Sequence, residues 1–445
     1  MKRALALLLL LAAGCGKPTA ELRLIFTCDA RGRLEPCGCF DGQMGGLTRI
    51  YTLIGDQPLE NELRVDVGDA IAGTEDFHHI KYTYMLKAFD RMGYAAMNMG
   101  LGEAGLSPTL LKQLREQSPV PMISANLLDR KSGQPVLEPW RIVERADRKI
   151  GLIGLIDPEL SPEKIHPELR VGALDGPFRD ALNALTPQVD LVVLLAFANE
   201  SRLKAIAREF YECDVILGGA VSQPSQEVEQ ENKSLILYVT NQARALGELW
   251  LQLKGESEPE YLHHDVKLVH HKIDEAQPMI DLASAYKQEI RETELAIDQP
   301  EQLQKGWVPG VQLKSTYVGS DACMGCHPTA FNTWKTSHHA KAFETLIEAN
   351  ADADPDCIRC HTVGFGRPDG YRREFAAKKL VDVGCESCHG PGSLHINQKA
   401  GGVDNGFRFR PLAAGDCQKC HYGEFSRPFH WEQFWPLIEH GLEGP

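Results

Sequence analysis

Short apolar runs alternate with amphipathic stretches between residues 22 and 253 of this chain. Runs of five to nine residues that end near Gly, Asp or Asn are typical of buried strands. The runs cover residues 22–26, 63–68, 94–99, 150–156, 189–197, 214–219 and 235–240. Residues 81–93 and 200–212 have helical spacing of their apolar positions instead. The pattern predicts an α/β domain over residues 20–255.

A different pattern follows this domain. Between residues 273 and 304 apolar positions recur at roughly helical spacing among many charges, and residues 256–305 hold twelve acidic against five basic side chains. A solvated, acidic helical connector over residues 256–312 is therefore expected. Residues 313–445 remain as a separate C-terminal region.

The C-terminal region repeats the pattern Cys-X-X-Cys-His four times. Two thiols three positions apart can reach the two vinyl groups of a haem, while the next histidine reaches the iron. Zinc ribbons and dithiol redox sites do not require that histidine, so the fourfold repeat favours haem over zinc. The pattern predicts four covalently bound haem c groups. The attachment cysteines are Cys323, Cys326, Cys357, Cys360, Cys385, Cys388, Cys417 and Cys420, and the proximal iron ligands are His327, His361, His389 and His421.

Residues 323–445 are too few to build a conventional core around four such groups, so the porphyrins must supply much of the apolar interior. Short helices and long loops are expected there, with little sheet. Without haem this region should not fold, because binding and folding are coupled in such small sites.

Four segments of this region, YVGSDACMGCH, TWKTSHHAKAF, VGCESCHGPGSLH and FWPLIEHG, resemble the tetrahaem cytochrome c-554 family. The resemblance implies that His339, His395 and His440 are distal iron ligands. Three distal ligands then serve four haems, so one haem is five-coordinate or another histidine completes the set. The alternatives are His338, His430, His263, His264, His270 and His271.

The first domain resembles 5'-nucleotidases and related calcineurin-like metallophosphoesterases, through IFTCDARGRLEP, VDVGDAIAG and TNQARALGEL. The resemblance implies a four-layer αββα sandwich in which two metal ions would hold a phosphate. Only Asp29 and Asp69 survive from the expected metal ligands, and the first-motif histidine is Arg31. The other expected ligands are replaced by Leu101, Gly102, Phe197, Ala220 and Ser222. Two carboxylates beside an arginine cannot hold a dinuclear metal centre, so we expect a scaffold or docking domain, with Asp29 and Arg31 as an ion pair.

Four cysteines remain beyond the haem motifs and Cys15: Cys28, Cys37, Cys39 and Cys213. Disulfides in an oxidising compartment are one interpretation. A thiolate site for copper or zinc, which His78 and His79 could join, is the other.

The N-terminus resembles a bacterial lipoprotein signal. A basic start is followed by an apolar block and then Gly14-Cys15, which predicts a signal peptide over residues 1–19 with Cys15 lipidated. Export to the periplasm or the outer membrane is expected, with exposure at the cell surface as a further option. A net charge of -14 argues against nucleic acid as a partner. The expected partners are redox proteins, together with the membrane that a lipid anchor would reach.

Three functions follow from these features. The first is a tetrahaem cytochrome that relays electrons between redox partners. The second is a redox enzyme that acts on a small nitrogen or oxygen species at a five-coordinate haem. The third is a metal-dependent phosphoesterase with a cytochrome appendage, which the loss of metal ligands disfavours.

Overall fold

The computed structural model describes residues 18–36, 43–240, 242–255, 257–299, 315–373, 378–402, 409–422 and 428–441. The chain divides into two compact units. The first comprises residues up to Arg31 with Ile54–Ala70 and Phe89–Leu268, and the second comprises Gly32–Leu53, Ile71–Ala88 and the chain from Val269 onward. Two segments from the N-terminal half therefore belong to the unit that carries the Cys-X-X-Cys-His motifs.

The first unit contains two six-stranded sheets, ordered β14-β13-β1-β2-β3-β4 and β11-β12-β10-β9-β7-β6, and the small sheet β5-β8. The strands are β1 Ala20–Thr27, β2 Glu62–Asp66, β3 Ala96–Asn98, β4 Met122–Ile123, β5 Leu127–Asp129, β6 Trp140–Arg145, β7 Arg148–Ile156, β8 Leu169–Val171, β9 Leu191–Phe197, β10 Val215–Gly219, β11 Glu229–Glu231, β12 Ser234–Tyr238, β13 Ala245–Leu253 and β14 Glu260–Leu268. All seven predicted strands are present, and the α/β class is confirmed.

The helices carry the labels α1 to α14 in chain order. They are α1 Leu47–Ile54, α2 Asp76–Arg91, α3 Leu101–Ala104, α4 Pro108–Gln117, α5 Arg179–Leu185, α6 Glu200–Glu209, α7 Gln277–Glu292, α8 Pro328–Thr336, α9 Ala342–Glu348, α10 Pro355–His361, α11 Cys385–His389, α12 Ser393–Lys399, α13 Ala414–Cys417 and α14 Trp431–Phe434. Helices α2 and α6 cover most of the two predicted helical stretches. No helix among the described residues is both long and apolar enough to cross a membrane.

Two apolar clusters hold the first unit together. One joins side chains of β1 and β2, such as Phe26 and Val65, to side chains of β9 and β10, such as Val193 and Leu217, between the two sheets. The other packs α5 and α6 on the opposite face of the second sheet. Strands β7, β9 and β10 are thus covered on both faces, which explains why their sequences are almost continuously apolar.

The expected connector over residues 256–312 differs from the structure in its first part. Strand β14 pairs antiparallel with β13, and α7 begins only at Gln277. The strand is an exposed edge with charged residues along it, so its sequence lacks a clear alternation of polar and apolar positions.

The second unit has a small apolar core in its C-terminal part. Its buried members are Leu346, Ile358, Val363, Tyr371 and Leu380. The helices between residues 315 and 441 have four to nine residues each, and the described part of this segment contains an isolated β-bridge but no strand. Short helices joined by loops were predicted for this region.

Candidate haem site

Each Cys-X-X-Cys-His motif is built on a helical turn. In the first and fourth motifs the backbone N–H of the histidine donates to the carbonyl of the first cysteine at 2.9 Å, while the second and third motifs lie on α10 and α11. Residues three and four positions apart lie on one face of such a turn. The two thiols and the imidazole of a motif can therefore approach one porphyrin together.

Three motif histidines face a second histidine. The ring centroids of His327 and His395 are 6.0 Å apart, those of His421 and His339 are 6.0 Å apart, and those of His389 and His440 are 5.8 Å apart. Two imidazoles that bind one iron from opposite sides, each through a nitrogen at about 2 Å, have centroids about 6 Å apart. These three pairs have the spacing that an iron between the rings requires.

The histidine of the second motif differs from the other three. His361 has no histidine ring facing it among the described residues, and its Nδ1 lies 2.6 Å from the carbonyl oxygen of Ala342. Since a carbonyl only accepts, Nδ1 carries the proton and Nε2 is left as the nitrogen available to a metal. His361 thus has the geometry of a proximal ligand, and it faces no second histidine in the described structure.

The alternative distal candidates lie elsewhere. His338 and His430 are exposed, and neither ring contacts a motif histidine in the described structure. His263 and His264 lie on β14, where the His263 ring packs against Trp250 at a tilted angle and His264 hydrogen-bonds to Tyr261. The rings of His270 and His271 contact each other.

Contacts between the attachment cysteines show which motifs are neighbours. The thiols of Cys323 and Cys385 hydrogen-bond to each other, as do those of Cys360 and Cys420. Cys417 lies close enough to Cys388 to raise the pKa of its thiol, after the larger effect of burial. The first motif therefore lies beside the third, the third beside the fourth, and the fourth beside the second. The second motif, whose His361 faces no other histidine ring in the described structure, stands at one end of this series.

Burial also favours the metal-binding form of these histidines. It lowers the pKa of His339 to about 4, and it lowers the pKa values of His361, His389 and His395. A histidine binds a metal as the neutral imidazole. The ring pairs, the helical motifs and the neutral imidazoles together fit covalently attached haem.

The surviving carboxylates of the first unit lie at the ends of strands, where Arg31 joins them. Its Nε is 2.5 Å from Asp29 Oδ1 and 3.0 Å from Asp69 Oδ2. Asp29 and Asp69 both have a left-handed backbone, with φ of 57° and 64°, a conformation that costs energy outside glycine. The guanidinium thus supplies the positive charge that metal ions would bring.

Glu103 closes the same site from α3. Its carboxylate accepts hydrogen bonds from the backbone N–H groups of Asp69, Ala70 and Gly100 at 2.8 to 3.1 Å. The residue is fully buried. Gly100 is required for this contact, because a Cβ there would lie 2.4 Å from the Asp69 nitrogen.

The site does not suit a dinuclear metal centre. No group of three or more His, Cys, Asp and Glu side chains that could hold a metal ion occurs in the described part of the chain. Phe197 and Ala220 bring apolar side chains where nitrogen donors were expected, and Phe197 belongs to the core between the sheets. With its two carboxylates bonded to Arg31, the site has no free ligand set to offer.

The remaining cysteines separate into two groups. Cys28 and Cys213 are free, buried thiols in two different core clusters, so they do not form a disulfide with each other. Burial, with nearby carboxylates, raises the pKa of both thiols, which disfavours a thiolate metal site. Cys37, Cys39 and the predicted lipidation residue Cys15 lie outside the described residues. His78 and His79 begin α2 and contact no cysteine of the described structure.

Comparison with known proteins finds similar proteins for both parts of the chain. Residues 322–390 match the family model for cytochrome c554 and c-prime. Cytochrome c-554 of Nitrosomonas europaea is 40% identical over 17% of this chain and 39% of its own length. The C-terminal region is similar to cytochrome c-554.

The first unit has relatives of another kind. Snake venom 5'-nucleotidase of Crotalus adamanteus is 28% identical over 48% of this chain and 40% of its own length. The calcineurin-like phosphoesterase YfkN of Bacillus subtilis superposes with a TM-score of 0.51 at 15% identity, over 61% of this chain and 98% of that chain. The predicted phosphoesterase-like fold is therefore confirmed. The chain spans about two fifths of the length of these two curated relatives.

Two features of the cytochrome c-554-like region are not apparent from its motifs. Glu386, inside the third motif, is buried and accepts hydrogen bonds from the backbone N–H groups of Val318, Gly319 and Gly392. Asp354 and Asp356, just before the second motif, bind side chains of α2 and α7. A carboxylate within or next to a haem motif is the only sequence signal for either feature, and it does not reveal the partners.

Proposed function

We propose that this chain is an exported tetrahaem c-type cytochrome that transfers electrons between redox partner proteins. The similarity to cytochrome c-554 and the four Cys-X-X-Cys-His motifs support four covalently bound haem c groups. Bound haems would supply the one-electron couples. The phosphoesterase-like unit would act as a scaffold or docking domain, since Arg31 occupies its carboxylates.

The observation that carries the proposal is the set of three histidine pairs. His327 with His395, His421 with His339 and His389 with His440 would each hold an iron from both sides. Such an iron has no open position for a substrate, and its ligands stay the same in both oxidation states, which suits electron transfer.

Adjacent histidines provide a matched test of this assignment. In His339→Ala the haem of the fourth motif should lose its distal ligand and become high-spin, because His339 faces His421 at 6.0 Å. In His338→Ala the spectrum should stay unchanged, since the exposed His338 ring meets no motif histidine in the described structure. Mass spectrometry of both variants should show four haem additions. A low-spin spectrum in His339→Ala, or fewer than four haems in the wild type, would contradict the proposal.

A second function rests on His361 alone. We propose, as the alternative, that the haem of the second motif is five-coordinate and reacts with a small nitrogen or oxygen species. The absence of a facing histidine in the described structure favours it. Cyanide or nitric oxide added to the wild-type protein should shift the spectrum of one haem in four. If no haem responds, this alternative fails while the electron-transfer proposal stands.

Export and lipidation through Cys15 remain part of the proposal. A Cys15→Ser variant should be recovered without the lipid mass and in the soluble rather than the membrane fraction, with haem content unchanged. Membrane recovery of the variant equal to that of the wild type would rule out the lipid anchor.

A further inference from the structure

A buried polar cluster surrounds the start of the second haem motif. Asp354 and Asp356 stand immediately before Cys357, the first attachment cysteine, and Asp354 caps α10 by accepting from the backbone N–H of Asp356 at 3.0 Å. Helix α10 also carries the proposed iron ligand His361. A change of charge at either carboxylate therefore occurs within about two helical turns of His361.

Side chains of α2 and α7 complete the cluster. Lys81 Nζ lies 3.1 Å from Asp354 and 2.6 Å from Asp356, and the Tyr286 hydroxyl donates to Asp354 at 2.9 Å. Lys81 and Tyr286 are both buried. These contacts fix the carboxylates in place, and they leave the second oxygen of Asp356 for another partner.

That partner is His78. Its Nε2 lies 3.1 Å from Asp356 Oδ1, and its Nδ1 lies 2.7 Å from Glu75 Oε2. The His78 side chain is 8% exposed, while that of Glu75 is 53% exposed. A chain of hydrogen bonds therefore runs from solvent at Glu75 through His78 to Asp356, beside the haem attachment point.

The charges around His78 favour reversible proton uptake. Three carboxylates, Glu75, Asp354 and Asp356, meet one buried ammonium, Lys81. The imidazole also packs against Phe77 with the rings tilted by 48° and their centroids 4.1 Å apart, and Arg359 of α10 faces Glu75. With Lys81 and Arg359 both counted, the cluster carries an excess of one negative charge without a proton on His78, and it is neutral with the proton.

The pKa of His78 agrees with this description. Burial lowers it, but the hydrogen bonds to Asp356 and Glu75 outweigh burial and raise the pKa above its ordinary value. His78 therefore holds a proton more readily than an ordinary histidine, whereas the neighbouring His79 has a lowered pKa because burial dominates there.

We propose that His78 is a proton site coupled to the haem of the second motif, so that reduction of this haem is accompanied by proton uptake at His78. One electron from a one-electron reductant enters the haem, and one proton from water reaches the His78 imidazole by way of Glu75. The summed charge of haem and cluster is then unchanged, which avoids adding a net negative charge in a buried site. The inference rests on the proposed function, because it needs a haem at this motif.

The test is a redox titration of the full-length, haem-loaded protein between pH 5.5 and 8.5, followed by absorption spectroscopy. One of the four potentials should fall as pH rises, by at most about 59 mV for each tenfold drop in proton concentration. In His78→Gln that dependence should be lost. In the control His79→Gln it should remain, since His79 makes no hydrogen bond to α10 in the described structure.

Gly73→Ala provides a second variant in which every titratable group is kept. A Cβ at this position would lie 2.4 Å from His78 Nδ1, so the ring must leave Glu75. The pH dependence of the potential should be reduced in this variant too. If His78→Gln does not fold, this result tests the coupling of His78 to the haem.

Retention of the full pH dependence in His78→Gln, or in Gly73→Ala if that is the variant that folds, would overturn the inference. So would four potentials that do not change with pH in the wild type. A haem count below four by mass spectrometry would instead reject the proposed function, so the two failures are distinguishable.

Discussion

Arg31 stands where related phosphoesterases are expected to place a histidine ligand, and its guanidinium contacts both remaining carboxylates. A metal site needs ligands that are free to bind, and here they are already paired. The replacement by Arg31 was evident from sequence. The contact of Glu103 with three backbone N–H groups was not evident from the sequence, because hydrogen bonds to the backbone require no particular sequence motif.

Replacing Arg31 tests whether its charge substitutes for a metal. In Arg31→Ala the carboxylates of Asp29 and Asp69 would lose the guanidinium that contacts both of them, so the free energy of unfolding should fall by about 1 to 2 kcal/mol, less than for a fully buried pair. Millimolar Mn²⁺ should raise the thermal midpoint of the variant and leave that of the wild type unchanged.

The exposed Lys112 provides the control, because Lys112→Ala removes a charge without baring a buried carboxylate. Equal responses to Mn²⁺ in Arg31→Ala and the wild type would show that Arg31 does not occupy a latent cation site. The wild type should also show no metal-dependent hydrolysis of a generic phosphate ester.

At the level of elements, apolar runs predicted the buried strands well and the edges poorly. Strands such as β7 and β9 are buried on both faces and cannot be mistaken for loops. Strand β14 has polar side chains on both faces, so only its pairing with β13 reveals it. Likewise, local sequence predicted where the haem motifs lie, but pairing of His339 with the distant fourth motif depends on tertiary structure.

The end of α7 is held by a single arginine. Arg373 pairs with Asp298 and donates to the carbonyls of Ile290, Thr293 and Ala353 at 2.7 to 3.1 Å. A lysine keeps the charge but not the planar set of donors. Arg373→Lys should therefore lower the free energy of unfolding by about 2 kcal/mol, measured by thermal denaturation.

The neighbouring Arg372 is a matched control, because in the described part of the chain it donates one hydrogen bond, to the carbonyl of Pro368. Arg372→Lys should shift the thermal midpoint little. If both lysine variants behave alike, the set of bonds made by Arg373 does not stabilise this part of the chain.

At the scale of the whole molecule, the two units differ in what they bury. The first has two large apolar clusters, whereas the core of the haem region has five fully buried side chains in the described structure. A core of that size does not offset the conformational entropy of more than a hundred residues. The sequence predicted this imbalance, because it shows how few residues are available for each haem motif.

Protein produced without haem attachment can be used to test whether the haem region is stable on its own. Residues 315–441 should then be cleaved rapidly by a nonspecific protease, while the sheets of the first unit resist. The haem-loaded protein should resist cleavage in both regions under the same conditions. Equal resistance of the region with and without haem would mean that the chain alone forms a stable core there.

The spin states of the four irons test the histidine pairing most directly. Electron paramagnetic resonance of the fully oxidised protein, with quantitation against the haem count, should give three low-spin haems and one high-spin haem per chain, because only His361 lacks a facing histidine in the described structure. Fewer than three low-spin haems would contradict the three histidine pairs, whereas four low-spin haems would contradict the five-coordinate haem of the second motif.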